Sequence, residues 1–425
     1  MGACLAAILY IKEYCRGEAL RARILMSKTL EEKLNEVGLK IPRILFPREG
    51  INLSKFACIA ADQFTQDLAY WERVKKYVGN EPSTLNLIYP EAYMEHELAT
   101  DKDNFENVLN KKIADINNNM NKYIDDGIYE DIGECFIFVE RKARSVNRRG
   151  LVVAVDLEKY DYNEGAKSLM RATERTVKER LKVRKQIREN ASLDIPHILV
   201  LINDKEDKLF KKVESIKFAT FFKMAGESNN DILYDFDLME DSGYIKGYKI
   251  ADKSDIEELV DILIELKNDA KDGMLYAVGD GNHSLAAAKD IYEKTGRGRY
   301  ALVELVNIHD DGLAFFPIHR LLINVDQNDF VKKTGVDPNR PPALQDLQKI
   351  LDDYGCKIDY IHGKEECIEL GKKEGNIAIT YDKFSHETLF DDVIKHGSLC
   401  RKSFSMGEAK DKRFYLEAQK NNLRR

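Results

Sequence analysis

The chain has 425 residues, 66 Lys plus Arg against 73 Asp plus Glu, a formal net charge of −7, and 44% hydrophobic residues. That apolar share can build a core, which excludes wholesale disorder. The acidic excess argues against a protein that coats nucleic acid with its whole surface, but it leaves room for a local basic site. A chain this long suggests roughly two to four domains.

The apolar stretch Ala3–Ile11 is far shorter than the ~20 residues a spanning helix needs. No basic residue precedes it, and Glu13 and Arg16 follow, so it does not read as a signal peptide. Residues 1–25 read as an extra segment, or as an upstream start with Met26 the natural one. The seven cysteines are odd in number and widely spaced, with no CxxC pair. Zinc ribbons and thioredoxin-type motifs are therefore excluded. Reduced thiols, a cytoplasmic location and no membrane association are the expectation.

Residues 1–40 are taken as an N-terminal extension and 41–150 as a mixed α/β region. Within the latter, Phe105, Val108, Leu109, Ile113, Ile116, Met120 and Ile124 recur at helical spacing, which predicts an amphipathic helix over Asn104–Ile124. The apolar runs Cys135–Val139 and Leu151–Val155 flank a polybasic turn and predict a hairpin. Residues 151–325 alternate in an α/β manner. The expected order is a helix over Ser168–Glu189, strands at His197–Ile202, Ile232–Phe236 and Tyr244–Ile250, a helix over Ile256–Asp269, a strand at Met274–Val278, a helix over Ser284–Lys294 and a strand at Tyr300–Val306. Val325–Pro342 is rich in Asp, Asn and Pro and marks a boundary or long connection. Residues 326–425 then form a small α/β unit and a basic tail. Its elements are expected at Leu344–Tyr354, Cys356–Ile361, Cys367–Lys373 and Ile377–Tyr381.

The segment most informative about chemistry is Met274–Lys294. An apolar strand runs into Gly279-Asp280-Gly281-Asn282-His283-Ser284 and then into an alanine-rich helix. The glycines permit a tight turn, and Ser284 is the candidate N-cap. The start of such a helix favours an anion such as phosphate. Asp280 adds negative charge there, which suits a Mg²⁺ ligand, a hydroxyl-holding group or a base. The plainer reading is an Asp-Gly turn with no ligand. The loop is neither GxxxxGK[ST] nor a dinucleotide fingerprint.

A second segment, Arg171–Arg188, carries eight basic and two acidic residues. As a helix it would line up Arg171, Arg175 and Lys178 on one stripe and Arg180, Arg184 and Arg188 on another. Glu174 sits among these arginines, which should depress its pKa and keep it ionised as a base. The plainer alternative is a solvated helix face with ordinary ion pairs. His319-Arg320 and the basic run Arg401–Arg413 are weaker candidates for phosphate contacts. No GxSxG elbow or HExxH helix is present.

Long stretches in order, IPRILFPREGINL, ACIAADQFTQDLAYW, PSTLNLIYPEAYME, SLMRATERTVKERLKVRKQIREN, GDGNHSLAAAK, PIHRL and KSFSMGEAKDKRFYLEA, resemble the uncharacterised domain-of-unknown-function family 1015. Asp280–Ser284 is similar to the Asp-Gly-His-His-Arg loop of the ParB/sulfiredoxin-like superfamily, with Asn282 for the first His and Ser284 for the Arg. The resemblance implies an α/β (α+β) fold with a ParB-like phosphate-binding core and Glu174 as the base. It also implies a phosphotransferase or phosphohydrolase acting on serine, phosphoserine or a similar metabolite. Asp280 would hold metal or substrate, and phosphate would be held by Arg171, Arg175, Gly281, Asn282, His283, Ser284, His319 and Arg320. Mg²⁺ and a nucleotide, ATP or ADP, are the implied cofactors, and the expected partner is a small phosphorylated metabolite or nucleotide. The alternative is a non-catalytic ParB-like module binding nucleotide or nucleic acid. Nucleic acid is disfavoured, because the local charges (+6 at 171–188 and +5 at 401–425) sit on an acidic body.

Overall fold

The computed structural model describes residues 28–143, 147–176, 178–223 and 232–421. The expectations for residues 1–25, and for the charged ends of the polybasic turn and tail that fall on 144–146 and 422–425, lie outside them.

A mixed ten-stranded sheet organises the chain. Its spatial order is Ile232–Asp237, Tyr244–Ile250, Phe136–Lys142, Asn147–Asp156, Tyr300–Asn307, Leu199–Ile202, Tyr276–Asp280, Met170–Ala172 and Tyr160–Asp161, with Leu39–Lys40 added beside Val155. The pairs 199–202/300–307, 276–280/170–172 and 170–172/160–161 are parallel; the others are antiparallel. The expected hairpin is present as Phe136–Lys142 against Asn147–Asp156.

The sheet is covered on both faces, which explains its unbroken apolar strands. Alternate side chains point to opposite faces. Phe136, Phe138, Leu151, Val153 and Val155 join one core cluster with Leu209, Phe210, Leu259 and Leu263 from the helices Lys208–Lys223 and Lys253–Asp269. Ile137, Val139 and Val152 join another with Trp71, Ile116 and Met120, the last two from the helix Phe105–Asp125.

A smaller sheet centres on Phe315–Ile323, flanked antiparallel by Lys357–His362 and Asn376–Ile379. Leu322, Phe330, Leu347, Leu351, Ile377 and Ile379 form its core. The tail then crosses back. Phe404–Met406 pairs with Phe315–Pro317, Phe414–Tyr415 with Cys58–Ile59, Ala418 bridges Leu45, and Gln419–Lys420 pairs with Leu193–Asp194. Arg413 is clamped between Glu304 and Glu417, and Arg148 reaches Glu304 at 3.1 Å. All four side chains are buried.

One expected element needs correction. The segment 168–189 is not a single helix. Met170–Ala172 is a strand beside Tyr276–Val278, and the helix runs only over Lys178–Glu189. Met170 and Ala172 are buried, and Thr173 hydrogen-bonds the Val278 carbonyl at 2.6 Å through its hydroxyl. A long-range strand partner therefore outweighs the helical propensity of Arg, Glu and Lys. Arg171 and Arg175 precede the helix, so the predicted Arg171–Arg175–Lys178 stripe does not form.

Candidate active site

The motif strand Tyr276–Asp280 passes through Gly281 into the helix Asn282–Thr295. Gly281 holds φ +79°, a left-handed conformation that glycine adopts freely, and a Cβ there would lie 2.9 Å from Ile198 Cγ1. Gly281, not Ser284, is therefore the N-cap, and it makes no side-chain cap bond. Asn282 fastens the helix start to the neighbouring strand. Its Oδ1 accepts from the Thr173 amide at 3.2 Å, and its Nδ2 donates to the Val278 carbonyl at 3.2 Å. Across the motif, Met406 packs on Gly279, where a Cβ would fall 2.4 Å from its sulfur. The Ser-Met-Gly segment of the tail thus lies directly over the loop.

Asp280 Oδ2 pairs with Lys412 Nζ at 3.1 Å, and its Oδ1 accepts the Gly281 amide at 3.0 Å. Lys412 is buried, so this ion pair works in a poorly hydrated setting. Glu174 stands on the extension of the Met170–Ala172 strand, which Leu399 of the tail brackets through Leu399 N to Thr173 O (2.7 Å) and Arg175 N to Leu399 O (3.2 Å). Burial pushes the Glu174 carboxyl up to about 7, with Asp280 adding to the effect and Lys402, Lys412 and Arg401 opposing it. The expected depression is overturned because desolvation exceeds the pull of these cations.

On the other side of the loop, Ser284 Oγ lies 2.9 Å from Arg184 Nη1 and 3.0 Å from His197 Nε2. Tyr415 Oη sits 3.2 Å from His197 Nδ1 and accepts the Ala61 amide at 3.3 Å. Arg184 is further held by Glu91 and lies 3.8 Å from Asp62. Burial lowers the His197 pKa, with Arg184 contributing and Asp62 opposing. Burial would raise the Asp62 carboxyl, but His197 and Arg184 pull it below its ordinary value. At neutral pH, with His197 uncharged, Arg184, the Gln63 side chain and Lys412 keep up that pull. From this cluster opens a cavity of about 350 Å³, lined by side chains that include Ile88, Met94, Met120, Val183, Ile187 and Leu193.

Asp280, Gly281, Asn282, His283, Ser284 and Glu174 gather around the loop, while the remaining predicted residues are engaged elsewhere. Arg171 is buried and binds Asp272 at 3.0 Å and the carbonyls of Ser168 and Asp272. Arg175 is exposed and pairs with Glu164 at 3.0 Å. His319 is buried in the second sheet and accepts the Tyr381 amide at 3.3 Å. Arg320, fully buried beside it, donates to the carbonyls of Ile318, Arg401 and Lys402, and to Gln348. It therefore positions the loop that carries Arg401 and Lys402, whose backbone adopts φ +59° at Lys402. Sequence reasoning missed Asp62, His197 and Tyr415. It noted Lys402 and Lys412 only within a basic run.

The donor set does not by itself suit Mg²⁺. Both Asp280 oxygens are engaged, Glu174 faces cations, and the described residues hold no cluster of three His, Cys, Asp or Glu able to bind a metal. No helix among them is long and apolar enough to cross a membrane.

The family described as "Protein of unknown function (DUF1015)" matches residues 45–421. The chain belongs to that family. No curated protein matches it. Among solved structures, a free serine kinase variant in complex with AMP is 14% identical, covering 67% of this chain and 95% of that one, at a TM-score of 0.35. A conserved hypothetical protein from Pyrococcus furiosus is 13% identical, with 64% and 95% covered, at 0.33. SbnI with a C-terminal truncation, from Staphylococcus aureus, is 12% identical, with 60% and 82% covered, at 0.33.

Proposed function

We propose that this protein is a small-molecule phosphotransferase or phosphohydrolase, with Glu174 as base and the Asp280–Ser284 loop as its phosphate-facing edge. The ParB-like reading of that loop and the choice of serine or phosphoserine as reactant belong to the same proposal. The observation that carries it is a pair of unlike carboxylates under a canopy of cations. Glu174 sits near neutrality at about 7, while Asp280 is ion-paired to Lys412 at 3.1 Å. A carboxyl tuned close to working pH suits proton transfer.

In the transfer direction, the acceptor hydroxyl oxygen forms a bond to phosphorus as the bond to the leaving phosphate or nucleoside phosphate breaks. The hydroxyl proton passes to Glu174. Lys402, Lys412 and Arg401 offset the charge on the phosphoryl oxygens, which is the main demand of such a transition state.

The test incubates the protein with ATP, ADP, serine and phosphoserine, with and without Mg²⁺, and follows phosphorylated products by mass spectrometry. Turnover should rise with pH through about 7, where Glu174 becomes unprotonated. It should fall by roughly 100-fold or more in Glu174→Gln and in Asp280→Asn. Turnover that survives both changes overturns the assignment. A nucleotide-induced thermal shift without turnover favours the non-catalytic binding module.

A further inference from the structure

Ser284 carries a hydroxyl that its own helix does not use. It stands in the first turn of Asn282–Thr295, where Gly281 is the cap and no side chain caps the helix. Its Oγ turns to Arg184 Nη1 at 2.9 Å and His197 Nε2 at 3.0 Å instead. Arg184 can only donate, so it takes a lone pair of Oγ and leaves the hydroxyl proton to Nε2. The ring proton of His197 then sits on Nδ1, facing Tyr415 Oη at 3.2 Å. The ring is also fixed by packing. It meets the Tyr415 ring edge-on at 5.4 Å, and the preceding Pro196 carbonyl takes Arg413 Nε at 3.1 Å. A hydroxyl, an imidazole within hydrogen-bond reach and a third group orienting that imidazole make the arrangement of an activated serine nucleophile.

Ser284 and His197 both border the cavity of about 350 Å³, which lies within the ~300–1,000 Å³ range of small-molecule pockets. Beyond the polar cluster its walls include Ile88, Met94, Val183 and Ile187. Such walls suit a hydrocarbon chain. A carboxylic ester brings that chain and an uncharged electrophilic carbon in one molecule.

We propose that Ser284 is a nucleophile, with His197 as its base, that cleaves carboxylic esters whose acyl chain lies in this cavity. The Oγ–carbon bond forms as the carbonyl π bond opens, and the hydroxyl proton passes to His197 Nε2. The carbon–alkoxy bond then breaks, and the alcohol leaves with that proton. Water repeats the sequence on the acyl-serine. Its proton goes to His197, the Oγ–carbon bond breaks, and Ser284 recovers the proton as the carboxylic acid departs. Arg184, held in place by Glu91, keeps positive charge beside the oxygen that gains electron density. Burial keeps His197 uncharged at neutral pH, as a base must be, while the Asp62 carboxylate favours the ring once it is protonated. This activity goes beyond the phosphoryl reading and does not rest on it.

A fluorophosphonate probe and p-nitrophenyl esters test this on the full chain. Neither nucleotide nor Mg²⁺ is added, so the outcome is read apart from phosphoryl turnover. The probe should phosphonylate Ser284 with loss of fluoride, as peptide mass mapping can show. The butanoate ester should be cleaved with a kcat/KM about tenfold above the acetate, the worth of two buried methylenes. Ser284→Ala should abolish labelling and turnover, and His197→Gln should lower both by roughly 100-fold. Ile187→Trp should remove the preference for butanoate by filling the cavity. Val183→Phe, one helical turn away, serves if that variant does not fold. A wild-type Ser284 left unlabelled overturns the proposal whatever the variants do, as does ester hydrolysis that survives Ser284→Ala.

Discussion

Replacing Glu174 by Gln should make the protein more stable, by an amount that grows as pH rises from about 4.5 to 7 and then levels off. The folded carboxyl titrates at about 7 against an ordinary value of 4.5. One pKa unit corresponds to about 1.4 kcal/mol, so the displacement is worth about 3 kcal/mol. The sign follows from proton linkage. Because its folded pKa is raised, Glu174 contributes stability below pH 4.5, loses it progressively as pH rises, and has lost it above 7. Glutamine mimics the protonated side chain and is insensitive to pH. The variant should therefore match wild type near pH 4.5 and exceed it by about 3 kcal/mol at pH 8, with most of the gain appearing between 5 and 7. Urea unfolding of both proteins across that range measures the difference. A stability gap that stays constant with pH, or that narrows as pH rises, would refute the claim that desolvation outweighs Lys402, Lys412 and Arg401.

Gly281→Ala forces a Cβ into a left-handed conformation at φ +79° and to within 2.9 Å of Ile198 Cγ1, so it should cost about 1–2 kcal/mol in urea unfolding. Arg413→Ala leaves Glu304 with Arg148 alone and Glu417 with only the Tyr234 hydroxyl in the interior, and should cost about 3–5 kcal/mol. Cys58, Cys135 and Cys367 are buried and burial pushes each thiol up to about 11, so iodoacetamide should label them only on unfolding. Half-buried Cys356 should be labelled first among the five described cysteines, as peptide mass mapping over time can show.

Local sequence pattern carried much of the architecture. The helix expected over 104–124 runs over Phe105–Asp125, and the helix over Leu344–Tyr354 has those same bounds, because each has a clear apolar stripe. The strand–turn–helix at the motif was legible in outline because two glycines interrupt an apolar run. Its cap was misplaced by three residues, since the hydrogen-bonding habit of serine says nothing about the backbone conformation at Gly281. The segment 168–189 failed for a different reason. Its strand exists only because Tyr276–Val278 lies alongside, and no local periodicity reveals a partner a hundred residues away. Arg320 looked like a phosphate ligand by composition, yet five neighbours across the second sheet and tail consume it. Asp62, His197 and Tyr415 meet only through folding. Of these, only His197 left a local trace, as a rare residue between Pro196 and an apolar strand.

The crossing tail has a consequence for how the protein is made. Cys58–Ile59 leaves the ribosome about 350 residues ahead of its strand partner Phe414–Tyr415, and Lys412 arrives with that partner. At typical synthesis rates that delay is on the order of tens of seconds. Throughout it the N-terminal core lacks Phe414 and Leu416, and the Asp280 carboxylate lacks its counter-ion. The Asp280–Lys412 pair of the proposed centre therefore cannot form before residue 412 has been made. A polypeptide cut short before residue 412 would leave the Cys58–Ile59 edge unpaired and Asp280 without its counter-ion, a product that chaperones and proteases can tell from the folded chain.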